Sequence, residues 1–533
     1  ERQVDGWSAN AMSILHDLEH ALRQSPPHAH SVLYDGQWEN PNYWVRLSLV
    51  RAALGLSEAE ETGVIGPWKR RRVARNFKAL GINRVADYQA MSHVGPDHLR
   101  RARSLLAQTS APGDLMEWDL PLEFPGMLVF DGILKRQRHP TIQLDDPNLV
   151  DMVADAIAKI EAAEIIVGEA EIDIAVLSHA LDYAYGALAW AAIRQGAPAL
   201  VLYGDFGTSR FIRMDHPEDL VTYPGRPTPA ESEALTQNAR SSLTEAGASY
   251  LNARLSGGTD DISAIYAFQN RHAKTDRDAI AQHYGWDPEK PILAVYGANW
   301  FDFPHVTGLI EYRDFLDWMQ TTLDVAEERT DVNWIFKAHP VDDWYGIPKG
   351  TSLDDMTRAL SLTHIQPCKR SWNGANILSA VDGLVCCHST AGLEMGAMGK
   401  PVLVAHKGWY GEAGFTVTAT TKSDYRAKLL DDWWRDWDHE TSAQNAKLFA
   451  GWYFAVPEWH GDYLFPDDSE QDRIYTNIPN CITQHRAALT QESSEIRAWY
   501  ESGHPFLHMF KMSRAQKFRS IVSTNNPGQR ASP

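Results

Sequence analysis

The stretch from Gly383 to His406, GLVCCHSTAGLEMGAMGKPVLVAH, contains residue types that suit anion binding. An apolar run is followed by His388, Ser389 and Thr390 and then by small and apolar residues that predict a short helix. The first turn of a helix has unpaired N–H groups and the positive end of the helix dipole, and hydroxyl side chains add donors. The turn therefore predicts a phosphate site. The alternative is that Ser389 or Thr390 only caps the helix.

Further polar residues lie near this turn or follow other apolar runs in the second half of the chain. One group follows the run ILAVYG. A second group lies at the end of the run NWIFKA and just after it, and one carboxylate lies a helical turn beyond Thr390. These residues are Asn299, Asp302, His305, Lys337, His339, Pro340 and Glu394. Since the carboxyl ends of parallel strands meet at one edge of a sheet, we expect these side chains to converge there.

The first half offers candidates for proton transfer. GMLVFDG, interpreted as a strand, places Asp131 at a carboxyl end, and EIDIAVLSH places His179 at another. Either side chain could deprotonate an acceptor hydroxyl, and Asp131 could instead act as a nucleophile. Asp131 is the preferred catalytic residue, and an ordinary Asp-Gly turn is its alternative. The loop GDFGTSR supplies Asp205 and Arg210 as candidate acceptor contacts.

The elements that would position these residues alternate along the chain. Apolar runs of strand length alternate with amphipathic helical segments from Ser31 onward, which is typical of parallel sheets with helical crossovers. The pattern predicts an α/β fold with two doubly wound, Rossmann-like parallel sheets facing a cleft, and helical terminal segments. The predicted domains are a first sheet domain over 1–275, a second sheet domain over 276–485, and a helical segment and tail over 486–533.

Composition narrows the class of protein. The chain has 533 residues and a formal net charge of -19, which argues against a nucleic-acid partner because phosphate neutralisation needs a basic surface. No run of eighteen apolar residues predicts a membrane span, and the first residues lack the features of a signal peptide. Four cysteines without metal-ligand spacing suit a reducing compartment. Adjacent acidic pairs such as Asp145-Asp146 are interpreted as caps and solvated loops, so no metal site is predicted. Asp342-Asp343, the pair nearest the predicted phosphate site, would be the exception.

Several longer segments resemble the capsule and surface-polysaccharide glycosyltransferases of bacteria, which have the fold called GT-B and are similar to Kdo- and sialyl-type transferases. The matching segments in the second half are FDFPH, DWM, NWIFKAHP, HSTAGLEMGAMGKPVL and WYGEAGF. In the first half they are GMLVFDGIL with the following HPTI, and SHALDYAYGALAWAAIRQGAP. The resemblance spans roughly 126–425, and the order of the segments makes it more specific than any one motif.

The resemblance implies transfer of a sugar from a nucleotide donor, CMP-activated in several related families, to a growing surface glycan. It implies that Lys337, His339, Ser389 and Thr390 contact donor phosphate and that Glu394 accepts ribose hydroxyls. Asp302 and His305 would gate or orient the donor. A metal-independent enzyme without a cofactor is expected, in the cytoplasm, with peripheral association at the inner membrane or with assembly machinery left open.

Two other functions fit the same predicted fold. One is a hydrolysing nucleotide-sugar epimerase, and the other is a non-catalytic glycan-binding or assembly protein. The alternation of strands and helices does not separate these functions, since fold alone does not determine activity. The sugar, the acceptor, the stereochemistry and the catalytic residue stay open at this point.

Overall fold

The computed structural model describes residues 2–23, 27–203, 210–222, 225–256, 275–339, 342, 346–455 and 474–507. The chain divides into two compact units. The first comprises the described residues of Glu1–Ile133, Leu144–Gly225 and Pro457–Met509, and the second those of Leu134–Gln143, Arg226–Val456 and Phe510–Pro533. Each unit is built around its own six-stranded sheet.

The first unit alternates strands and helices. Its strands are β1 Ser31–Asp35, β2 Glu60–Ile65, β3 Arg84–Asp87, β4 Ile174–Leu177, β5 Ala199–Tyr203 and β6 Arg210–Met214. Its helices are α1 Arg2–Leu22, α2 Pro41–Leu54, α3 Arg70–Ala79, α4 Tyr88–Met91, α5 Pro96–Ala107, α6 Gly126–Gln137, α7 Leu149–Ala170, α8 Gly186–Arg194 and α9 Asp219–Thr222. The last four residues of α6 belong to the second unit.

The first sheet has the strand order β3-β2-β1-β4-β5-β6. All neighbours are parallel except β6, which runs antiparallel to β5. The chain moves outward from β1 to β2 and β3 and then returns to β4 on the other side of β1. A crevice is expected at the carboxyl ends of β1 and β4, where the order reverses.

Helix α2 is buried along its whole length. It packs against α1 and against the long C-terminal helix, Ile474–Ser502. Arg51 of α2 is 1 % exposed and donates to Glu19 of α1 and to Glu61 of β2. A buried guanidinium is tolerated because both carboxylates meet it at hydrogen-bond distance.

The second unit contains ten α-helices, a π-helix at Gly451–Ala455 and six strands among its described residues. Its strands are β7 Ile292–Tyr296, β8 Asn333–Lys337, β9 Ile365–Pro367, β10 Gly383–Cys386, β11 Val402–Val404 and β12 Val417–Thr418. Nine helices lie wholly within it: α10 Pro229–Ala234, α11 Gln237–Leu255, α12 Arg277–Tyr284, α13 Phe315–Glu328, α14 Leu353–Leu360, α15 Gly374–Ala380, α16 Thr390–Ala397, α17 Lys422–Leu430 and α18 His439–Ala450. The tenth is the end of α6. The C-terminal helix of the first unit is α19.

The second sheet is parallel throughout, in the order β12-β11-β10-β7-β8-β9. Its order reverses between β7 and β10, just as the first sheet's order reverses between β1 and β4. Burial of all residues of β10 and β11 accounts for the continuous apolar runs in the sequence. Helix α16 ends before Gly399, whose φ of +77° is a conformation that favours glycine.

Close glycine contacts hold the helices of the second unit together. A Cβ on Gly247 of α11 would lie 1.9 Å from the Lys447 carbonyl of α18, and one on Gly451 would lie 1.9 Å from the Leu243 carbonyl. Only glycine permits backbones to approach so closely. The contact positions α11, which carries Arg254, near α16.

The α/β class with two doubly wound, Rossmann-like sheets is confirmed. The strand predicted for Gly126–Gly132 is wrong, because Gly126–Gln137 is a helix. The compact units also follow different bounds from the predicted domains. The second unit begins at Arg226 rather than at 276 and includes Leu134–Gln143, and α19 belongs to the first unit. No helix in the described part of the chain is long and apolar enough to cross a membrane.

Candidate functional site

The carboxyl edge of the second sheet brings together several of the predicted donor-binding residues. Parallel register pairs Tyr296 of β7 with Lys337 of β8 and with Cys386 of β10, and Cys386 with Val404 of β11. The residues that follow these strand ends therefore lie side by side at the point where the strand order reverses. This edge, with the loops after β7, β8, β10 and β11, is called the second edge below.

Ser389 occupies the N-cap position of α16 without capping it. Its side chain makes no capping hydrogen bond, so the alternative of a simple cap does not hold for Ser389. The Ser389 hydroxyl lies beside the Cys386 thiol, which is a weak hydrogen-bonding group. It makes no hydrogen bond of good geometry to any described residue. The Ser389 carbonyl accepts a hydrogen bond from Tyr410 Oη at 2.8 Å, which fixes the start of the helix. Gly392 allows this, because a Cβ there would lie 2.2 Å from Tyr410 Oη.

Lys337 ends β8 with its side chain largely buried. Its ammonium lies over the Tyr296 ring, 5.0 Å from the ring centroid. Burial lowers the pKa of Lys337, while nearby Cys368, Glu394, Asp342 and Asp354 act in the opposite direction. None of the carboxylates in the described ranges lies within ion-pair distance of this ammonium.

His339 lies two residues beyond Lys337, and burial lowers its pKa to about 4. Asp302 opposes this shift and Lys337 reinforces it. Asp302 accepts a hydrogen bond from Lys135 Nζ at 2.9 Å, and the same ammonium lies 4.9 Å from the centroid of the Phe303 ring. Lys135 was not predicted as a site residue.

His388 Nδ1 lies 3.0 Å from His406 Nε2, so the two rings share a hydrogen bond. Burial lowers the pKa of His388 to about 4 and that of His406 well below its ordinary value. His406 was not predicted as a site residue. The signal was available, because each histidine lies two residues beyond one of the register partners Cys386 and Val404.

Cys387, His388 and His406 offer ligand atoms that all lie within 4.8 Å of one another. A cysteine with two histidines is a donor set that suits Zn²⁺. A metal would bind His406 only at a nitrogen without a proton, yet Nδ1 already accepts a hydrogen bond from Gly408 N–H at 3.0 Å. Neutral His406 then carries its proton on Nε2, so these residues do not fit a resident metal.

Glu394 lies one helical turn into α16 and is 3 % exposed. Its Oε1 accepts from both Nε and Nη2 of Arg254, each at 3.1 Å. In this arrangement the Glu394 carboxylate does not face a ligand as the predicted contact with ribose hydroxyls requires, because it is buried and bound to a guanidinium. Arg254 belongs to a distant part of the sequence, and sequence reasoning gave no signal for the pair.

Asn299 and His305 shape the loop after β7 rather than presenting their side chains to solvent. Asn299 is 4 % exposed, and its backbone carbonyl accepts from Asp302 N–H. His305 is fully buried, and its Nε2 lies 3.1 Å from the Tyr312 carbonyl. Because its ring is fully buried, His305 would gate or orient the donor only through the loop and not by direct contact, and that role stays a prediction. The Asn299 carbonyl holds the turn that carries Asp302.

In the first unit, the carboxyl ends of β1 and β4 are joined by a buried carboxylate. Asp35 accepts hydrogen bonds from Ser178 Oγ at 2.6 Å and from Gln37 N–H at 2.7 Å, and burial raises its pKa. His179 follows directly. This edge, with the loops after β1, β4 and β5, is called the first edge below.

Three aromatic rings surround His179. Its ring centroid lies 4.5 Å from that of Trp38, 5.4 Å from that of Tyr185 and 5.8 Å from that of Tyr203. Burial, reinforced by Arg46, lowers the pKa of His179 to about 4. His179 Nδ1 is buried and has no hydrogen-bond partner among the described residues. A neutral imidazole beside partly exposed rings can accept a proton and can contact a sugar face.

Asp131 does not lie at a strand end. It is within α6 and its side chain is fully buried. An acceptor hydroxyl cannot contact it in this structure, which is the physical objection to the predicted catalytic role. Asp205 and Pro340 lie outside the described residues, and Arg210 is described only as the first residue of β6.

Comparison with protein families gives one match. Residues 311–432 match the family described as "Capsule polysaccharide biosynthesis protein". The matched segment runs from the loop before α13 to just beyond α17 and includes His339, His388, Ser389 and Glu394. Part of the second unit is therefore similar to this family, over less than half of the chain. No curated protein sequence matches the chain.

Solved structures with low similarity include three sugar-nucleotide or sugar-transfer proteins. The Thermosulfurimonas dismutans protein KpsC, beta Kdo 2,4 transferase, is 16% identical, with 57% of this chain and 87% of that chain covered and a TM-score of 0.31. UDP-GlcNAc 2-epimerase from Neisseria meningitidis is 9% identical, with 78% and 96% covered and a TM-score of 0.22. The calicheamicin glycosyltransferase CalG4 is 13% identical, with 89% and 100% covered and a TM-score of 0.23. At these scores the similarities assign no activity to this chain.

Proposed function

We propose that this chain is a glycosyltransferase that moves a sugar from a nucleotide-sugar donor to a capsular or surface glycan. The second edge binds the donor phosphate. The match of residues 311–432 to a capsule polysaccharide biosynthesis family supports the pathway class. The observation that carries donor binding is the Lys337 ammonium, which is largely buried at the second edge and has no ion-pair partner in the described ranges.

A partly buried ammonium without an ion-pair partner has lost part of its hydration, and an anion in contact with it offsets that cost. A donor phosphate supplies this negative charge. The second edge also carries hydrogen-bond donors: the first N–H groups of α16, the hydroxyl of Ser389, and the imidazoles of His339 and His388. Such donors stabilise the charge that develops on a phosphate leaving group.

Thr390 begins α16 and adds a hydroxyl to the same turn. The proposed donor site therefore consists of Lys337, His339, His388, Ser389 and Thr390. Its positive charge comes from the protein, so the proposed transfer is metal-independent. CMP is the candidate nucleotide from the resemblance, and UDP and GDP are the alternatives for the assay. We also propose that the enzyme is located in the cytoplasm and associates peripherally with the inner membrane.

The first edge is the proposed acceptor site. His179 is neutral at physiological pH because burial lowers its pKa to about 4, and since Nδ1 is buried, Nε2 is the nitrogen proposed to accept the acceptor's hydroxyl proton. Trp38, Tyr185 and Tyr203 offer aromatic surface of the kind that packs against sugar rings. His179 takes the place of Asp131 as the proposed base, because Asp131 is fully buried.

The test is a thermal-shift titration with CMP-, UDP- and GDP-sugars, followed by calorimetry with the best nucleotide. Lys337→Met is expected to weaken binding by about 10- to 100-fold, since a charge-assisted hydrogen bond contributes about 1.5–3 kcal/mol. Lys369→Met is the matched control. Its ammonium also lies over an aromatic ring, 5.8 Å from the centroid of Trp372, but Lys369 is exposed and follows β9, the outermost strand of the sheet.

Three results would contradict the proposal. The donor site is wrong if none of the three nucleotide classes raises the melting temperature, because a ligand that binds the native state must stabilise it. Equal loss of affinity in both lysine variants would show that Lys337 has no special role. Isomerisation of the sugar nucleotide without an acceptor would identify an epimerase instead.

A further inference from the structure

The His388–His406 pair contains information about proton positions that the donor-site proposal does not use. The two nitrogens that face each other, His388 Nδ1 and His406 Nε2, are 3.0 Å apart. A hydrogen bond between two neutral imidazoles needs one protonated and one unprotonated nitrogen. The proton position on one ring therefore determines the proton position on the other.

The backbone at Gly408 gives this hydrogen bond its direction. Gly408 N–H donates to His406 Nδ1 at 3.0 Å, so Nδ1 carries no proton and neutral His406 is protonated on Nε2. His406 Nε2–H then donates to His388 Nδ1, and His388 is protonated on its own Nε2. Gly408 has φ +48°, and a Cβ there would lie 2.9 Å from His388 Cβ, so glycine permits this approach.

Both rings are neutral at physiological pH, as this arrangement requires. Burial lowers the pKa of His388 to about 4, although Asp302 opposes the shift. Burial also lowers the pKa of His406 well below its ordinary value, and His388 and Arg226 reinforce that shift. The hydrogen-bond order, rather than these shifts, fixes which nitrogen holds each proton.

The Nε2–H of His388 is then the end of the chain of hydrogen bonds. Thr307 Oγ1 lies 3.3 Å from Nε2 and 3.5 Å from Nδ1 of the same ring. Because the two distances are nearly equal, the hydroxyl lies away from the in-plane direction along which either nitrogen makes a good hydrogen bond. No other partner for Nε2 is present in the described ranges.

We infer that His406 is a positioning residue that holds His388 as an Nε2–H donor for an oxygen of the nucleotide phosphate. The ligand's identity rests on the proposed function, whereas the proton positions rest only on the hydrogen bonds of Gly408, His406 and His388. The inference specifies the hydrogen-bonding role of His388 in the proposed site: its Nε2–H is a neutral donor, and the ring does not act as a base there.

Two variants of similar size separate a donor from an acceptor at position 406. The amide in His406→Gln can donate to His388 Nδ1 as Nε2–H does. The carboxylate in His406→Glu can only accept, so it moves the proton of His388 onto Nδ1. If His406→Glu does not fold, His406→Asn replaces it, because the shorter amide does not reach His388 and no longer selects a proton position.

The first measurement is ¹⁵N NMR of the histidine rings at pH 7 without nucleotide, with His388→Gln used to assign the His388 signals. Wild type and His406→Gln are expected to show His388 protonated on Nε2. His406→Glu is expected to show a protonated Nδ1, and His406→Asn a mixture. Protonation of His388 on Nδ1 in wild type would overturn the inference, as would stoichiometric zinc in the purified protein that leaves both nitrogens of the pair unprotonated.

The second measurement is calorimetric titration of CMP and UDP. His406→Gln is expected to bind within about threefold of wild type and His406→Glu about tenfold or more weakly, since the latter puts an acceptor opposite the phosphate. Equal loss in both variants would indicate only a packing role for His406 and would overturn the inference. If wild type binds none of CMP, UDP and GDP, the proposed function fails, and the NMR result still decides the proton positions.

Discussion

The carboxyl edges of the two sheets have the same topology and different chemistry. Both sheets reverse their strand order beside their first strand, β1 in one unit and β7 in the other. At the first edge, buried Asp35 connects the ends of β1 and β4, and aromatic rings surround His179. At the second edge it carries Lys337 and the donors of the α16 turn. The fold sets the position of a site, and the side chains after each strand set its ligand.

The two edges also share a feature. His179, His339 and His388 each lie two residues beyond a strand end, and burial lowers the pKa of each to about 4. All three rings are therefore neutral at pH 7. Their roles must therefore be set by the residues around them. Aromatic rings surround His179, whereas a lysine and backbone N–H donors lie at the second edge.

The largest expected effects come from substitutions that lower the free energy of unfolding of one unit and leave the other unit unchanged. Arg51→Met leaves the carboxylates of Glu19 and Glu61 buried without their guanidinium, and is expected to cost about 3–5 kcal/mol in the free energy of unfolding of the first unit. Arg254→Met does the same to Glu394 in the second unit. Urea unfolding measures both. Nucleotide binding by the molecules that remain folded should survive Arg51→Met and weaken with Arg254→Met.

The result that contradicts this division is loss of nucleotide binding in folded Arg51→Met. The donor site would then depend on the first unit. Arg497→Met is a suitable control in α19, because its ion pair with Glu501 is half exposed on the carboxylate side and is expected to cost about 1 kcal/mol or less.

Acidification should weaken the second unit more than the first. The pKa values of His339 and His388 are lowered from 6.5 to about 4, so between these pH values the unfolded chain binds protons that the folded protein excludes. The free energy of unfolding therefore falls as the pH falls, on the order of 2 kcal/mol per ring from pH 7 to 5. His179 contributes the same loss to the first unit. His16 offsets part of it, because the Glu19 carboxylate, which accepts from the His16 ring, raises its pKa.

Urea unfolding at pH 7 and pH 5, followed by hydrogen exchange of peptides from β1–β5 and from β7–β11, separates the two contributions. His339→Gln should reduce the pH dependence only in the β7–β11 peptides, and His179→Gln only in the β1–β5 peptides. A steeper loss in the first unit would show that the assigned shifts do not control the acid response.

The smallest expected effect concerns Asp131. Because its side chain is fully buried in α6, Asp131→Asn is expected to lower the stability of the first unit while changing transfer per folded molecule by less than about twofold. His179→Gln is the matched comparison at the first edge, and should lower transfer by about 10²–10⁴ if it is the base. The measurement is nucleotide release from the best sugar nucleotide with a capsular glycan extract. Abolished transfer by well-folded Asp131→Asn would restore the carboxylate to the mechanism.

Much of the fold follows from the sequence because buried parallel strands and their helices leave a clear pattern. SVLYD, ILAVY, NWIFK and GLVC are continuous apolar or nearly apolar runs, and each is a strand. The run GMLVFDG looks the same over seven residues but is the start of a helix. A short apolar run does not distinguish a buried strand from a buried helix. That error placed Asp131 at an edge it does not reach.

The donor turn was predictable in part. Its residues follow β10 directly, so local pattern sufficed to place Ser389 and Thr390 at a helix start. The partners that come from elsewhere were not predictable: Arg254 reaches Glu394 across 140 residues, and Lys135 reaches Asp302 across 167. Such contacts depend on packing between helices, which one sequence without structure does not encode in a readable spacing.

Hydrogen–deuterium exchange with and without the best-binding nucleotide tests the central claim most directly. We predict slower exchange of backbone amides at 337–339 and 388–394, at the carboxyl ends of β8 and β10, and unchanged exchange at 178–186 beyond β4. Protection confined to 178–186, with none at 337–339 or 388–394, would contradict the assignment of the donor phosphate to the second edge.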